Sequence, residues 1–113
     1  HSDLRRQRQM CIRDRAYGER EQVDDNTLQT IISLTTDHDD QLVREAGAAA
    51  LGAIGDERGV PAILSACEDK PAVRRRAVLA LAPFSGPEIE TAIDTALNDR
   101  DWQVRQSAED LRR

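Results

Sequence analysis

The chain has 113 residues, 39% hydrophobic and 33% charged, with a single Phe, Tyr and Trp, which allows one domain whose core must be built from alanine and aliphatic side chains. Its 16 basic and 21 acidic side chains leave a formal charge of −5, which excludes a global basic field for nucleic acid or an anionic membrane. No apolar run approaches the roughly 18 residues of a membrane span, no apolar signal core follows the first arginines, and Cys11 and Cys67 show no metal-ligand spacing.

In chain order, residues 1–24 come first and are expected to lie outside the fold as a leader. Gln9 to Arg15 resembles a translation of CAG ATG TGT ATA AGA GAC AGR, a transposon end used to prepare sequencing libraries. Residues 1–15 are therefore expected to be an adapter artefact, the alternatives being a disordered basic arm or the frayed remnant of an earlier helix. Residues 25–113 alone hold 10 basic and 16 acidic side chains, a net charge of −6.

From Asp25 onward the apolar residues recur at helical spacing. Leu28, Ile31 and Ile32 predict a helix over 26–36, capped by Asp25 or Asn26. Val43, Gly47, Ala50 and Leu51 predict one over 40–53, and Val60, Ile63, Leu64 and Cys67 one over 59–68, with Pro61 in its first turn and Cys67 as a small buried thiol. Val73, Ala77, Ala80 and Leu81 mark a helix over 71–82. Ile89, Ala92, Ile93, Ala96 and Leu97 mark one over 87–98 behind Pro87, and Val104, Ala108 and Leu111 a last one over 101–112.

Three of these helices share a Val-Arg opening, VREAGAAALG from 43, VRRRAVLALA from 73 and VRQSAEDLRR from 104, at spacings of 30 and 31 residues. A repeat of that period predicts an all-α solenoid of stacked antiparallel helix pairs, with units at 25–54, 55–84 and 85–113. One hairpin cannot bury its apolar face alone, so the centre of the stack is expected at Ile63, Leu64, Ala77 and Leu81. Leu97, Val104 and Leu111, with no polar capping unit after them, are expected to meet a further repeat of a longer parent chain.

Asp39 through Leu64, with its Val-Arg pair, its alanine run and Gly52-Ala-Ile-Gly-Asp-Glu-Arg-Gly-Val-Pro-Ala-Ile-Leu64, resembles HEAT repeats of the bacterial type named for phycobilisome lyases. That resemblance implies a right-handed superhelix, the first helix of each pair on the convex side and the Val-Arg helix on the concave side. It also implies an Asp/Arg ladder tying adjacent units, carried here by Asp39, Arg44, Asp69, Arg74, Asp99 and Arg105. The expected function is a cytoplasmic, non-catalytic protein-interaction scaffold without a cofactor, because repeats supply surface and no catalytic constellation stands in the sequence; its expected partners are another protein and the remaining repeats of its parent chain, with no membrane. Two further readings are a bilin lyase or its chaperone, and nucleic-acid binding like that of HEAT-like alkylpurine glycosylases, which the net negative charge disfavours. HEAT-repeat deoxyhypusine hydroxylase holds iron with His-Glu dipeptides, and this sequence has none.

Few residues invite chemistry. His38 lies among Asp37, Asp39 and Asp40 without a second ligand at helical spacing, so a solvated loop is expected there. Trp102 opens the last helix and is expected to pack across the inter-helix turn. On the Val-Arg helices, the positions two, three and six residues after the Val point away from the apolar stripe. They select Glu45, Ala46, Ala49, Arg75, Arg76, Leu79, Gln106, Ser107 and Asp110 as a concave partner-binding face. Arg75 and Arg76 are its most distinctive members, able to meet carboxylates through planar forks.

Overall fold

The computed structural model describes residues 23–113; the adapter-like stretch and the rest of the expected leader up to residue 22 lie outside them. Helices α1 (Asp25–Asp37) and α2 (Gln41–Ile54), α3 (Val60–Ala66) and α4 (Pro71–Ala80), and α5 (Pro87–Leu97) and α6 (Trp102–Arg112) form three consecutive hairpins, with no strand among the described residues.

Local chemistry sets the helix bounds. The carboxylates of Asp24, Asp40 and Asp101 accept the amides of Thr27 at 2.8 Å, Leu42 at 2.9 Å and Gln103 at 2.8 Å, satisfying donors that the first turns of α1, α2 and α6 leave open. The cap of α1 is therefore Asp24, ahead of the expected Asp25 or Asn26. α4 and α5 begin on Pro71 and Pro87, which have no N–H to leave unsatisfied. α2 ends on Gly55, whose φ of 70° lies in the left-handed region and whose N–H returns to the Leu51 carbonyl at 3.1 Å. The third helix is shorter than its apolar stripe. Asp56 accepts the Arg58 amide at 2.8 Å and closes a 3-10 turn over Glu57–Gly59, leaving α3 only 7 residues.

α2, α4 and α6 form one layer and α1, α3 and α5 the other. The α2–α4 approach is close because Gly52 presents no side chain: a Cβ there would lie 2.7 Å from both Cα and Cβ of Ala80. Gly47 plays the same part toward Thr35 of α1, whose buried hydroxyl donates to the Ile31 carbonyl at 2.8 Å. The other layer is looser, since α3 and α5 make no substantial contact with each other and each leans on the Val-Arg helices. The Val-Arg helices α2, α4 and α6 are thus the more continuously packed layer, and the face they present is the one expected to be the inner face.

A single core runs through all three units, with Leu28, Leu51, Ile63, Val73, Val78, Leu81 and Val104 at most 1% exposed and alanines filling the space between them. Phe84 joins it from the turn after α4, where its N–H meets the Leu81 carbonyl at 3.0 Å. Of the four residues expected at the centre, Ile63, Ala77 and Leu81 are there, but Leu64 is half-buried. Its side of α3 faces the gap toward α5, and no large side chain closes that gap.

Candidate functional site

The helix starts that carry the Val-Arg pairs also carry the interactions holding the inner face in register. Arg44 donates from Nε and Nη2 to the Asp69 carboxylate at 2.8 and 3.0 Å, and Arg74 donates in the same way to Asp99 at 2.9 and 2.8 Å. Each fork joins the arginine of one unit to the aspartate of the next, 25 residues on. The aspartate five residues upstream of Arg74 gives it a different atom, since Nη1 meets the Asp69 carbonyl at 2.8 Å. Arg44 reaches the carbonyls of His38 and Asp39 at 2.8 and 3.1 Å, and Arg105 that of Asp99 at 2.7 Å. Asp69 and Asp99 are thus hubs, their carboxylates held by the preceding unit and their carbonyls by their own. Among the described residues, Asp39 and Arg105 contribute only these carbonyl contacts, with no carboxylate–guanidinium pair.

These carboxylates are tuned by their partners. Hydrogen bonds from Arg44 hold Asp69 below the usual carboxylate range. At Asp99 burial opposes the charge, but the bonds from Arg74 and the Asp101 amide outweigh it, and the pKa is again lowered. Bonds to the Thr27 amide and to the Arg58 side chain lower Asp24 and Asp56 likewise. A carboxylate with a depressed folded-state pKa adds stability above its unfolded value, near 3.8, and loses it as the pH falls through the lowered value. The melting temperature should therefore hold from neutral pH down to about 5 and drop below about 4. The Asp69→Asn, Asp99→Asn double variant should melt lower at neutral pH and lose less on acidification, measured by circular dichroism.

The residues expected on the inner face do not all share one site. Arg75, Arg76 and Leu79 of α4 and Trp102, Gln103 and Gln106 of α6 line a groove of about 490 Å³ with Ser107 as its buried floor. Neither Arg75 nor Arg76 takes part in an ion pair among the described residues. Asp110 stays outside the groove, bound to Gln106 Nε2 and Arg113 at 3.1 Å each. Ala46 is exposed and Ala49 half-buried on α2, neither lining the groove.

Glu45 departs from expectation, being only 8% exposed and accepting Gln41 Nε2 at 3.2 Å. It lies seven residues before Gly52, almost two helical turns along the same face, and that face meets α4. On α2 this position is covered, whereas its equivalents two residues after Val73 and Val104, Arg75 and Gln106, line the groove.

A profile of the HEAT repeats family matches residues 5–82, more than half of the chain. The chain belongs to the HEAT repeat family. The match begins inside the stretch read as a leader and ends before the third hairpin, which continues the same helix pairing in the HEAT stack. A search of curated proteins finds no match.

Within this HEAT stack Trp102 also departs from expectation. Its side chain is 64% exposed instead of packing across the turn. The turn closes without it, Asp99 accepting the Asp101 amide at 2.8 Å. Two residues of α-helix rotate a side chain by about 200°, so Trp102 faces away from Val104 and shares a face with Gln106. That spacing was available in the sequence as the signal for a groove residue.

The remaining candidates are quiet. His38 Nδ1 accepts the Asp40 amide at 3.0 Å, and the described residues contain no cluster of three or more His, Cys, Asp or Glu able to hold a metal. Burial, with Glu68 nearby, pushes the Cys67 thiol up to about 12, which keeps it protonated at neutral pH. No described helix is long and apolar enough to cross a membrane.

Proposed function

We propose that this HEAT repeat chain is a non-catalytic protein-interaction scaffold, and that its partner docks in the inner groove between α4 and α6. The observation that carries this reading is the pair of guanidiniums, Arg75 and Arg76, which take part in no ion pair among the described residues and stand beside the exposed Trp102 and Leu79. Trp and Arg are the residues on which binding energy most often concentrates, and planar guanidinium forks suit carboxylates. The favoured partner segment therefore carries Asp or Glu next to an apolar side chain. Nucleic acid fits less well: affinity grows with the number of phosphates neutralised, and the groove offers two cations in a chain of net charge −5. Motif resemblance also supports a bacterial setting.

Affinity capture from the source organism tests the docking face. Wild type should retain a partner that the Arg75→Glu, Arg76→Glu double variant loses by at least about tenfold, the scale of one removed hot spot. All these positions are at least partly exposed, so the variant should melt like wild type. Retention of every partner by the double variant would count against the groove.

A further inference from the structure

The opposite layer of the stack holds a second groove that the inner-face reading does not use. Between α3 and α5 lies a trough of about 520 Å³. It exists because α3 is only 7 residues long and the facing side of α5 is built from small residues, Thr91, Ala92, Thr95 and Ala96, which cannot reach across. Val78 and Val104 form its floor, and Leu64 and Cys67 its α3 wall, both only half-buried. No Lys or Arg lines it. Its charged lining residues are Glu68, Glu88 and Asp99, of which, among the described residues, only Asp99 is in an ion pair, with Arg74.

We infer that this trough binds a basic amphipathic helix of a partner protein, whose bulky aliphatic stripe fills the space left by the small α5 residues while flanking lysines or arginines meet Glu68 and Glu88. Three features select that occupant. The walls are helices with their backbone groups already paired internally, so an added strand finds no ladder to extend, whereas a helix laid in the groove needs only side-chain contacts. The small residues of α5 are complementary to large apolar knobs, and apolar burial supplies the affinity. The acidic rim sets the sign of the partner's flanking charge and repels a fatty acid or an anionic lipid surface.

The probe is a fluorescently labelled helical peptide of about four turns, with Leu at i, i+3, i+4 and i+7 and Lys at the remaining positions, titrated into the full chain by anisotropy. Saturable binding is expected. It should weaken on the order of tenfold in the Glu68→Lys, Glu88→Lys double variant. It should also weaken in Thr91→Trp, which places a large side chain in the trough from an exposed position, and circular dichroism should show both variants folded. The Arg75→Glu, Arg76→Glu variant on the other layer should bind as wild type, so loss of the inner groove and loss of the trough are told apart. Absence of binding overturns the inference, as does equal binding of the peptide with Glu in place of Lys, or undiminished binding by both trough variants. Sedimentation showing self-association that Thr91→Trp abolishes would overturn it in favour of a second copy of this chain.

Discussion

Ile63→Ala should cost about 2–5 kcal/mol, the range for deleting a fully buried aliphatic side chain from a core that cannot collapse around the cavity. Ile63 has no exposed surface and lies in the middle hairpin, with units packed on both sides of it. A domain of this size has roughly 5–15 kcal/mol in total, so the loss is a large share of the margin and the variant should unfold at a clearly lower urea concentration. Urea midpoints followed by circular dichroism provide the measurement. Leu64→Ala, one residue along but opening on the trough, should lose clearly less. A midpoint for Leu64→Ala at or below that of Ile63→Ala would contradict the placement of the core.

Gly52→Leu should be comparably damaging for the opposite reason. The nearest atoms to an added Cβ are Cα and Cβ of Ala80 at 2.7 Å, and the Ala80 carbonyl oxygen follows at 3.1 Å. Backbone cannot swing aside as a flexible side chain would, so α2 and α4 must separate, breaking the Arg44–Asp69 fork that depends on their spacing. Overpacking alone costs about 1–3 kcal/mol and the lost contacts add to it, whereas the better helix propensity of Leu returns less than about 1 kcal/mol. Gly52→Ala should fall between wild type and Gly52→Leu in thermal midpoint. An unchanged or raised midpoint for Gly52→Leu would show that the inner layer is not set by this contact.

The repeat itself was legible because its signal is local. Val-Arg openings 30 and 31 residues apart, proline starts and alanine stripes all report on single helices, and the hairpins follow from them. What failed to show was how one unit meets the next. Glu45 was expected in the groove because an apolar stripe reveals only which side of a helix is buried in its own hairpin; the side covered by a neighbouring unit is polar or small and leaves no such mark. The arginine forks have the same origin: Asp69 stands close before Arg74 in sequence, yet its carboxylate belongs to Arg44, because the stacking offset, not chain proximity, decides which charges meet. Leu64 was placed in the core since it shares the stripe of Ile63, and only the shortness of α3 leaves it half open. Residue type alone points Trp102 to a turn, whereas its spacing from Val104 puts it on the other side of α6.

The chain's single tryptophan makes the central claim directly measurable. Trp102 is 64% exposed in the free protein and lies in the proposed docking groove beside Arg75 and Arg76. Its fluorescence in the isolated chain should be red-shifted and open to quenching by acrylamide. On titration with a partner captured by wild type but not by the Arg75→Glu, Arg76→Glu variant, the emission should move to the blue and quenching should fall as the indole is covered. A partner that binds with the Trp102 spectrum and its quenching unchanged would place the contact elsewhere and contradict the inner groove as the binding site.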